Sequence, residues 1–103
     1  FGPEASDLVL TRTHGAGPMT GTDLDSVLRN MGIRTIVGVG VSVNVAITNL
    51  VMDAVNRSYQ FVLPRDAVSG FPREYADSVI DNTLGLLATL TTTSAVVQAW
   101  SES

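Results

Sequence analysis

Residues 35–54, TIVGVGVSVNVAITNLVMDA, constrain the fold more than any other part of the chain. Residues 35–41 are rich in β-branched side chains and show no polar/apolar alternation, which predicts a strand buried on both faces. A helical pattern begins directly afterwards, and we expect Ser42 or Asn44 to cap its first N–H groups. In open parallel sheets, ligands bind where such a strand turns into a helix. The sequence therefore predicts a binding site at this turn.

The rest of the chain alternates between strand and helix patterns. Strands are predicted at residues 8–11, 35–41, 59–63 and 88–92, and helices at 22–32, 43–57, 72–87 and 95–100. The glycine- and proline-containing segment 13–21 is predicted to be a loop. This alternation is typical of an α/β fold with a parallel sheet, in one domain at most. The apolar face of helix 43–57 is broad, so we expect it to pack against the sheet and also against a neighbour.

Composition excludes several function classes. The chain is 45% hydrophobic and 16% charged, as in a soluble globular domain, and a net charge of −4 with scattered arginines argues against nucleic-acid binding. The absence of cysteine removes thiol catalysis, disulfides and thiolate metal sites, and a single histidine gives no support for a metal or another cofactor. No apolar run reaches the roughly 18 residues of a membrane span, and no signal peptide is visible, so a cytoplasmic protein is expected.

The segment Gly40-Val41-Ser42-Val43-Asn44-Val45-Ala46-Ile47, followed by Asp53-Ala54, resembles the signature of the isochorismatase-like cysteine hydrolases. In that family a glycine-valine pair ends a central strand and a cysteine opens the next helix. Ala46 occupies the position of that cysteine. The resemblance implies a three-layer α/β/α, Rossmann-like fold with strand order 3-2-1-4-5-6, of which this chain would supply the third to sixth strands.

The resemblance also implies which residues surround the site. Arg12 stands where the family has a strand-ending basic residue, usually lysine; its position alone favours a solvated arginine. Arginine stays protonated, so it could orient an anion but would be a poor proton shuttle. Met19 takes the place of an aromatic residue that borders the pocket, and the family tends to hold the Val41–Ser42 peptide bond in the cis form. The residues implied to bind substrate are Met19, Val41, Ser42, Asn44 and Val45.

For the other candidate side chains, a structural role is weighed against a catalytic one. His14 could transfer protons near neutral pH, but a lone histidine in a glycine-rich loop is more often a surface residue. Ser42 or Thr48 as a nucleophile would need a base within reach, so capping is the favoured role of Ser42. We expect Asp66 to be structural, or to pair with Arg65. Bulky aromatic residues such as Phe71 and Trp100 are more often core or interface residues than substrate platforms.

Family members are usually about twice as long as this chain, and their first half carries a catalytic aspartate. The chain begins with Phe1 and not methionine, so we expect residues 1–103 to be the C-terminal portion of one hydrolase domain, completed by an N-terminal half or a partner chain. Vinyl-ether-cleaving members have a small residue at the cysteine position and use acid/base chemistry. Two hypotheses follow: a hydrolase of a small substrate that lacks the thiol, or a silent member acting in ligand binding or homo-oligomerisation.

Overall fold

A computed structural model of the chain describes residues 2–102. The α-helices are α1 (Leu24–Asn30), α2 (Thr48–Asn56), α3 (Arg73–Asn82) and α4 (Thr93–Glu102). The strands are β1 (Thr35–Val37), β2 (Gly40–Val41), β3 (Gln60–Pro64), β4 (Val68–Ser69) and β5 (Thr89–Thr91). A π-helical turn, Val43–Ile47, leads into α2, and 3₁₀ turns form at Arg65–Ala67 and Leu84–Leu86.

The strands form two parallel sheets with flanking helices, which confirms the α/β prediction. The larger sheet has the order β1-β3-β5, with Ile36 opposite Phe61 and Leu63 opposite Leu90. The smaller sheet pairs β2 with β4, with Val41 opposite Ser69. Each pair of neighbouring strands in the larger sheet is joined through a helix, as a parallel arrangement requires.

The single strand predicted at residues 35–41 is in fact two strands. Gly38 still donates its N–H to the Val62 carbonyl at 3.1 Å, and a Cβ at Gly38 would lie 2.2 Å from the Phe61 ring. Only glycine therefore fits so close to β3. Gly40 then has φ +121, a conformation that favours glycine, and there the chain leaves β3 and pairs with β4.

The core lies between the larger sheet and helices α2 and α3. Its buried members are Met19, Val43, Ile47, Val51, Ala54, Tyr59, Phe61, Leu63, Ala76, Ile80 and Leu84. Four of them come from the segment 43–54 at helical spacing, which confirms the apolar face predicted there. The core thus fixes the helix that follows β2 against the sheet.

Two local predictions are wrong, one for the first strand and one for the start of the helix after β2. Residues 8–11 form no strand, because no neighbouring strand among residues 2–102 pairs with their backbone. Neither Ser42 nor Asn44 makes a side-chain cap at the start of the helix. The first turn is π-helical instead, and the Thr48 hydroxyl donates to the Val43 carbonyl at 2.6 Å.

Several bulky apolar residues are exposed. Tyr75 and Leu87, within the predicted helix 72–87, are 58% and 38% exposed. Phe71 and Trp100, predicted to be core or interface residues, are 87% and 64% exposed. Within residues 2–102, no helix combines the length and apolar character needed to cross a membrane.

Candidate functional site

The turn after β2 presents backbone groups at one edge of the structure. The Val41–Ser42 peptide bond is cis, as the resemblance implied. The Ser42 carbonyl accepts hydrogen bonds from the N–H groups of Val45 at 3.3 Å and Ile47 at 3.0 Å. Ala46 lies between these two donors and is partly exposed. The π-helical turn therefore carries the Ala46 methyl group, at the position predicted to correspond to the family's cysteine.

A cleft of about 370 Å³ opens beside this turn. It is lined by Val41, Ser42, Ser69, Gly70 and Phe71. The parallel register of β2 and β4 puts Val41 opposite Ser69, so the carboxyl ends of both strands meet at the cleft. None of its lining residues is charged. Apolar side chains and two serine hydroxyls thus define its chemistry.

A hydrogen bond across the cleft joins its two walls. The Asn44 side-chain amide donates to the Phe71 carbonyl at 2.7 Å, while the Ser42 hydroxyl lies 3.5 Å from Asn44 Oδ1. Gly70 allows this approach, because a Cβ there would lie 2.3 Å from Asn44 Oδ1 and 2.9 Å from the Ala76 Cβ. Asn44 therefore holds the segment 69–71 against the turn that carries Ala46.

The structure places Arg12 in a different groove. Its guanidinium donates to the Gly15 carbonyl at 2.9 Å. Arg12 lines a groove of about 390 Å³ with Leu8, Leu10, Pro18, Thr22, Leu24, Val27 and Leu28, and this groove shares no lining residue with the cleft. The groove that contains Arg12 thus does not include Ala46.

His14 and Met19 also lie outside the cleft. His14 Nδ1 is 3.4 Å from the Thr13 hydroxyl, in the exposed loop. Met19 is 2% exposed and belongs to the core. Ser42 has no histidine beside it in the cleft lining, so the structure gives no support for a serine nucleophile.

A polar cavity of about 390 Å³ adjoins the cleft and shares Ser69 and Gly70 with it. Arg65, one of its walls, pairs with Asp81 at 2.8 Å, and this hydrogen bond raises the pKa of Arg65. The predicted Arg65–Asp66 pair is therefore wrong. Asp66 instead accepts the N–H and hydroxyl of Thr93, and the backbone hydrogen bond is the main cause of the lowered pKa of Asp66.

Sequence reasoning missed Ser69 and Gly70 as site residues. The sequence signal that could have found them is Gly70 itself. A glycine soon after a strand that ends in Pro64 indicates a close approach of backbone segments. In the described range 2–102, no group of three or more histidine and carboxylate residues is arranged to hold a metal ion.

Comparison with known proteins identifies the fold that carries this cleft. Residues 1–95 match the model of the isochorismatase domain. The chain belongs to the isochorismatase family. The parallel sheets with flanking helices described above are thus those of an isochorismatase-family domain.

Three similar proteins show the extent of the match. Over 65 residues the chain is 38% identical to the ureidoacrylate amidohydrolase RutB of Methylorubrum extorquens, covering 63% of this chain and 26% of that protein. It is 33% identical over 80 residues to the uncharacterized isochorismatase family protein YwoC of Bacillus subtilis, covering 78% of this chain and 42% of that protein.

The crystal structure of an isochorismatase-like hydrolase from Alkaliphilus metalliredigens superimposes with a TM-score of 0.90 at 24% identity. The match covers 97% of this chain and 54% of that protein, and it shows the shared fold. The chain thus spans about half of that structure, and a quarter to two fifths of the two curated relatives.

Proposed function

We propose that the protein is an isochorismatase-family hydrolase that cleaves a small-molecule substrate by acid/base chemistry, without a covalent thiol intermediate. The observation that carries this proposal is Ala46, a methyl group on the turn beside the cleft in a sequence that contains no cysteine. An amide-cleaving thiolate has no counterpart here. Bond cleavage then depends on proton transfer to the substrate followed by attack of water, as in vinyl-ether hydrolysis.

The residues of this chain would position the substrate. Ser42 and Ser69 offer hydroxyl groups to a polar substrate atom, and Val41 contributes an apolar wall. Ala46, on the same turn, is partly exposed. Arg12, Met19 and Val45 remain predicted binding residues; of these, Arg12 would act only on a substrate group that reaches its own groove.

The proton donor would come from another segment. No carboxylate or histidine lines the cleft within residues 2–102. We therefore propose that an aspartate outside these 103 residues, from an N-terminal half of the domain or from a partner chain, completes the site. Such an aspartate is the group whose replacement would abolish turnover while leaving the cleft intact.

The test is a comparison of a vinyl ether and an amide built on the same small uncharged group, with the full-length protein in its native assembly. We expect hydrolysis of the vinyl ether only. Ala46→Val should lower kcat/KM by about 10- to 100-fold, because added bulk displaces the substrate by a fraction of an ångström to an ångström. Ala99→Val, on the exposed surface of α4, is the matched control and should leave kcat/KM unchanged.

Hydrolysis of the amide would contradict the proposed chemistry. Absence of turnover with either compound would favour the second candidate, a catalytically silent member that binds a ligand or self-associates. The exposed side chains of Val41 and Val45, 73% and 55% exposed beside the cleft, support that second candidate.

A further inference from the structure

We propose that Phe71 is a specificity-determining residue that selects an uncharged substrate with an aromatic or similarly bulky apolar group, and that Asn44 is the residue that positions it. This inference rests on the proposed function for its link to turnover. The binding preference itself can be measured without any reaction.

The charge of the cleft favours a neutral ligand. Its lining consists of Val41, Ser42, Ser69, Gly70 and Phe71, none of which is charged. The chain carries a net charge of −4, which disfavours anions in general. Arg12 lines a separate groove. Of the two arginines that line the adjoining cavity, Arg65 is paired with Asp81 at 2.8 Å, and Arg73 is not among the residues that line the cleft. A carboxylate in the cleft would therefore lose water without gaining a cationic partner there.

The shape of the cleft favours a ring. Phe71 is 87% exposed and lines the cleft together with Val41, which is 73% exposed. Both side chains border a space of about 370 Å³, which is in the range of small-molecule sites. An aromatic group inserted between them would remove apolar surface from water on both sides and could stack on the Phe71 ring.

The Phe71 backbone is held in place even though its side chain is exposed. Its carbonyl accepts the Asn44 amide at 2.7 Å, and the preceding Gly70 approaches Val43 and Ala76 too closely to admit a Cβ without displacement. A ring carried on a fixed backbone loses less conformational entropy on binding than one on a mobile loop. Asn44 thus couples the apolar wall to the turn that contains Ala46.

Isothermal titration of the full-length protein with benzamide, acetamide and benzoate separates these contributions. Benzamide supplies a neutral ring, acetamide lacks the ring, and benzoate adds a charge. We expect benzamide to bind about tenfold more tightly than acetamide, and more tightly than benzoate, because the ring contact and the neutral lining act together.

Phe71→Ala should remove the advantage of benzamide over acetamide, and Phe71→Tyr should retain it. Asn44→Leu, which deletes the amide donor, should weaken benzamide binding with little effect on acetamide. Leu86→Ala is the matched control, since Leu86 is 82% exposed and lines no part of the cleft. We expect it to bind all three compounds as the parent protein does.

The proposal is overturned if benzamide does not bind, if benzoate binds more tightly, or if Phe71→Ala binds benzamide as well as the parent. These outcomes are independent of turnover. Ring-dependent binding without vinyl-ether hydrolysis would refute the proposed reaction and support this cleft assignment. Vinyl-ether hydrolysis that does not change in the Phe71 variants would support the proposed reaction and refute the role of Phe71 in specificity.

Discussion

At the scale of single residues, Asp66 joins two elements that are far apart in sequence. Its Oδ1 atom accepts the N–H of Thr93 at 2.8 Å and the Thr93 hydroxyl at 2.9 Å. Thr93 is the first residue of α4, where a negative charge also interacts favourably with the helix dipole. Hydrogen bonding from the Thr93 N–H holds the pKa of Asp66 below its ordinary value of 3.8. The carboxylate form is therefore the one that stabilises the folded chain.

Asp66→Asn should lower stability near neutral pH by an amount that shrinks in acid. The pKa of Asp66 is lowered in the folded chain. The Asp66 charge therefore stabilises the fold fully above about pH 3.8, and this stabilisation is lost as the pH falls through the lowered pKa. Urea unfolding of the parent and the variant across this range measures the difference. Thr93→Val is the control. In a protein that carries Thr93→Val, Asp66→Asn should lower stability by less than it does in the parent protein. A difference that does not change with pH would contradict this assignment.

At the scale of elements, α1 is fastened to the start of β3 by a small polar network. The Tyr59 hydroxyl donates to Asp25 Oδ1 at 2.7 Å, and the Arg29 guanidinium lies 4.2 Å from the centroid of the Tyr59 ring. Burial and the Asp25 hydrogen bond raise the pKa of Tyr59. Arg57, at the end of α2, lies 3.7 Å from both Asp25 and Asp53. The network aligns α1 and α2 at the edge opposite the carboxyl ends of the strands.

The middle strand, β3, contributes most directly to the core. Leu63 is 0% exposed and pairs with Leu90 of β5. Leu63→Ala should lower the free energy of unfolding by about 2–5 kcal/mol, because the cavity is enclosed by neighbouring elements. Leu86→Ala, at a residue 82% exposed, should change it by less than about 0.5 kcal/mol. Chemical denaturation of both variants provides the comparison. Equal effects would show that β3 is not the packing centre.

At the scale of the whole molecule, residues 2–102 leave a large apolar surface uncovered. Leu8 and Val9 are 66% and 64% exposed, and β1 has a paired neighbour on one side only. The radius of gyration is 13.8 Å, against about 13 Å for a compact domain of this size. An open strand edge beside exposed apolar side chains favours association with another chain or segment.

We therefore expect a polypeptide of these 103 residues alone to self-associate. Light scattering coupled to size exclusion should give a mass above the 10.9 kDa of one chain. Supplying the proposed N-terminal half should replace this association with a defined assembly. A monodisperse monomer that unfolds cooperatively would refute the expectation, and with it the proposal that the domain is completed elsewhere.

Local pattern was sufficient for most of the fold. Predicted strands at 59–63 and 88–92 correspond to β3 and β5 within a residue or two, and the first of them is an apolar run followed directly by Pro64. The Val41–Ser42 turn and its cis bond were found through the family signature. The break of the central strand was not predicted, because it depends on the conformation of Gly40 and on the pairing of β2 with the distant strand β4.

A cleft lies at the turn where the sequence predicts a binding site, and of the predicted binding residues only Val41 and Ser42 line it. A strand followed by a helix identifies the edge where a ligand binds, and the sequence alone determined that Ala46 brings no thiol to it. Tertiary structure decided the rest: it brought Ser69, Gly70 and Phe71 beside Ser42 and kept Arg12 in another groove. The physical reason is that sequence periodicity records which face of an element is apolar, whereas the neighbours of a cleft depend on strand pairing between residues distant in the chain, here Val41 with Ser69.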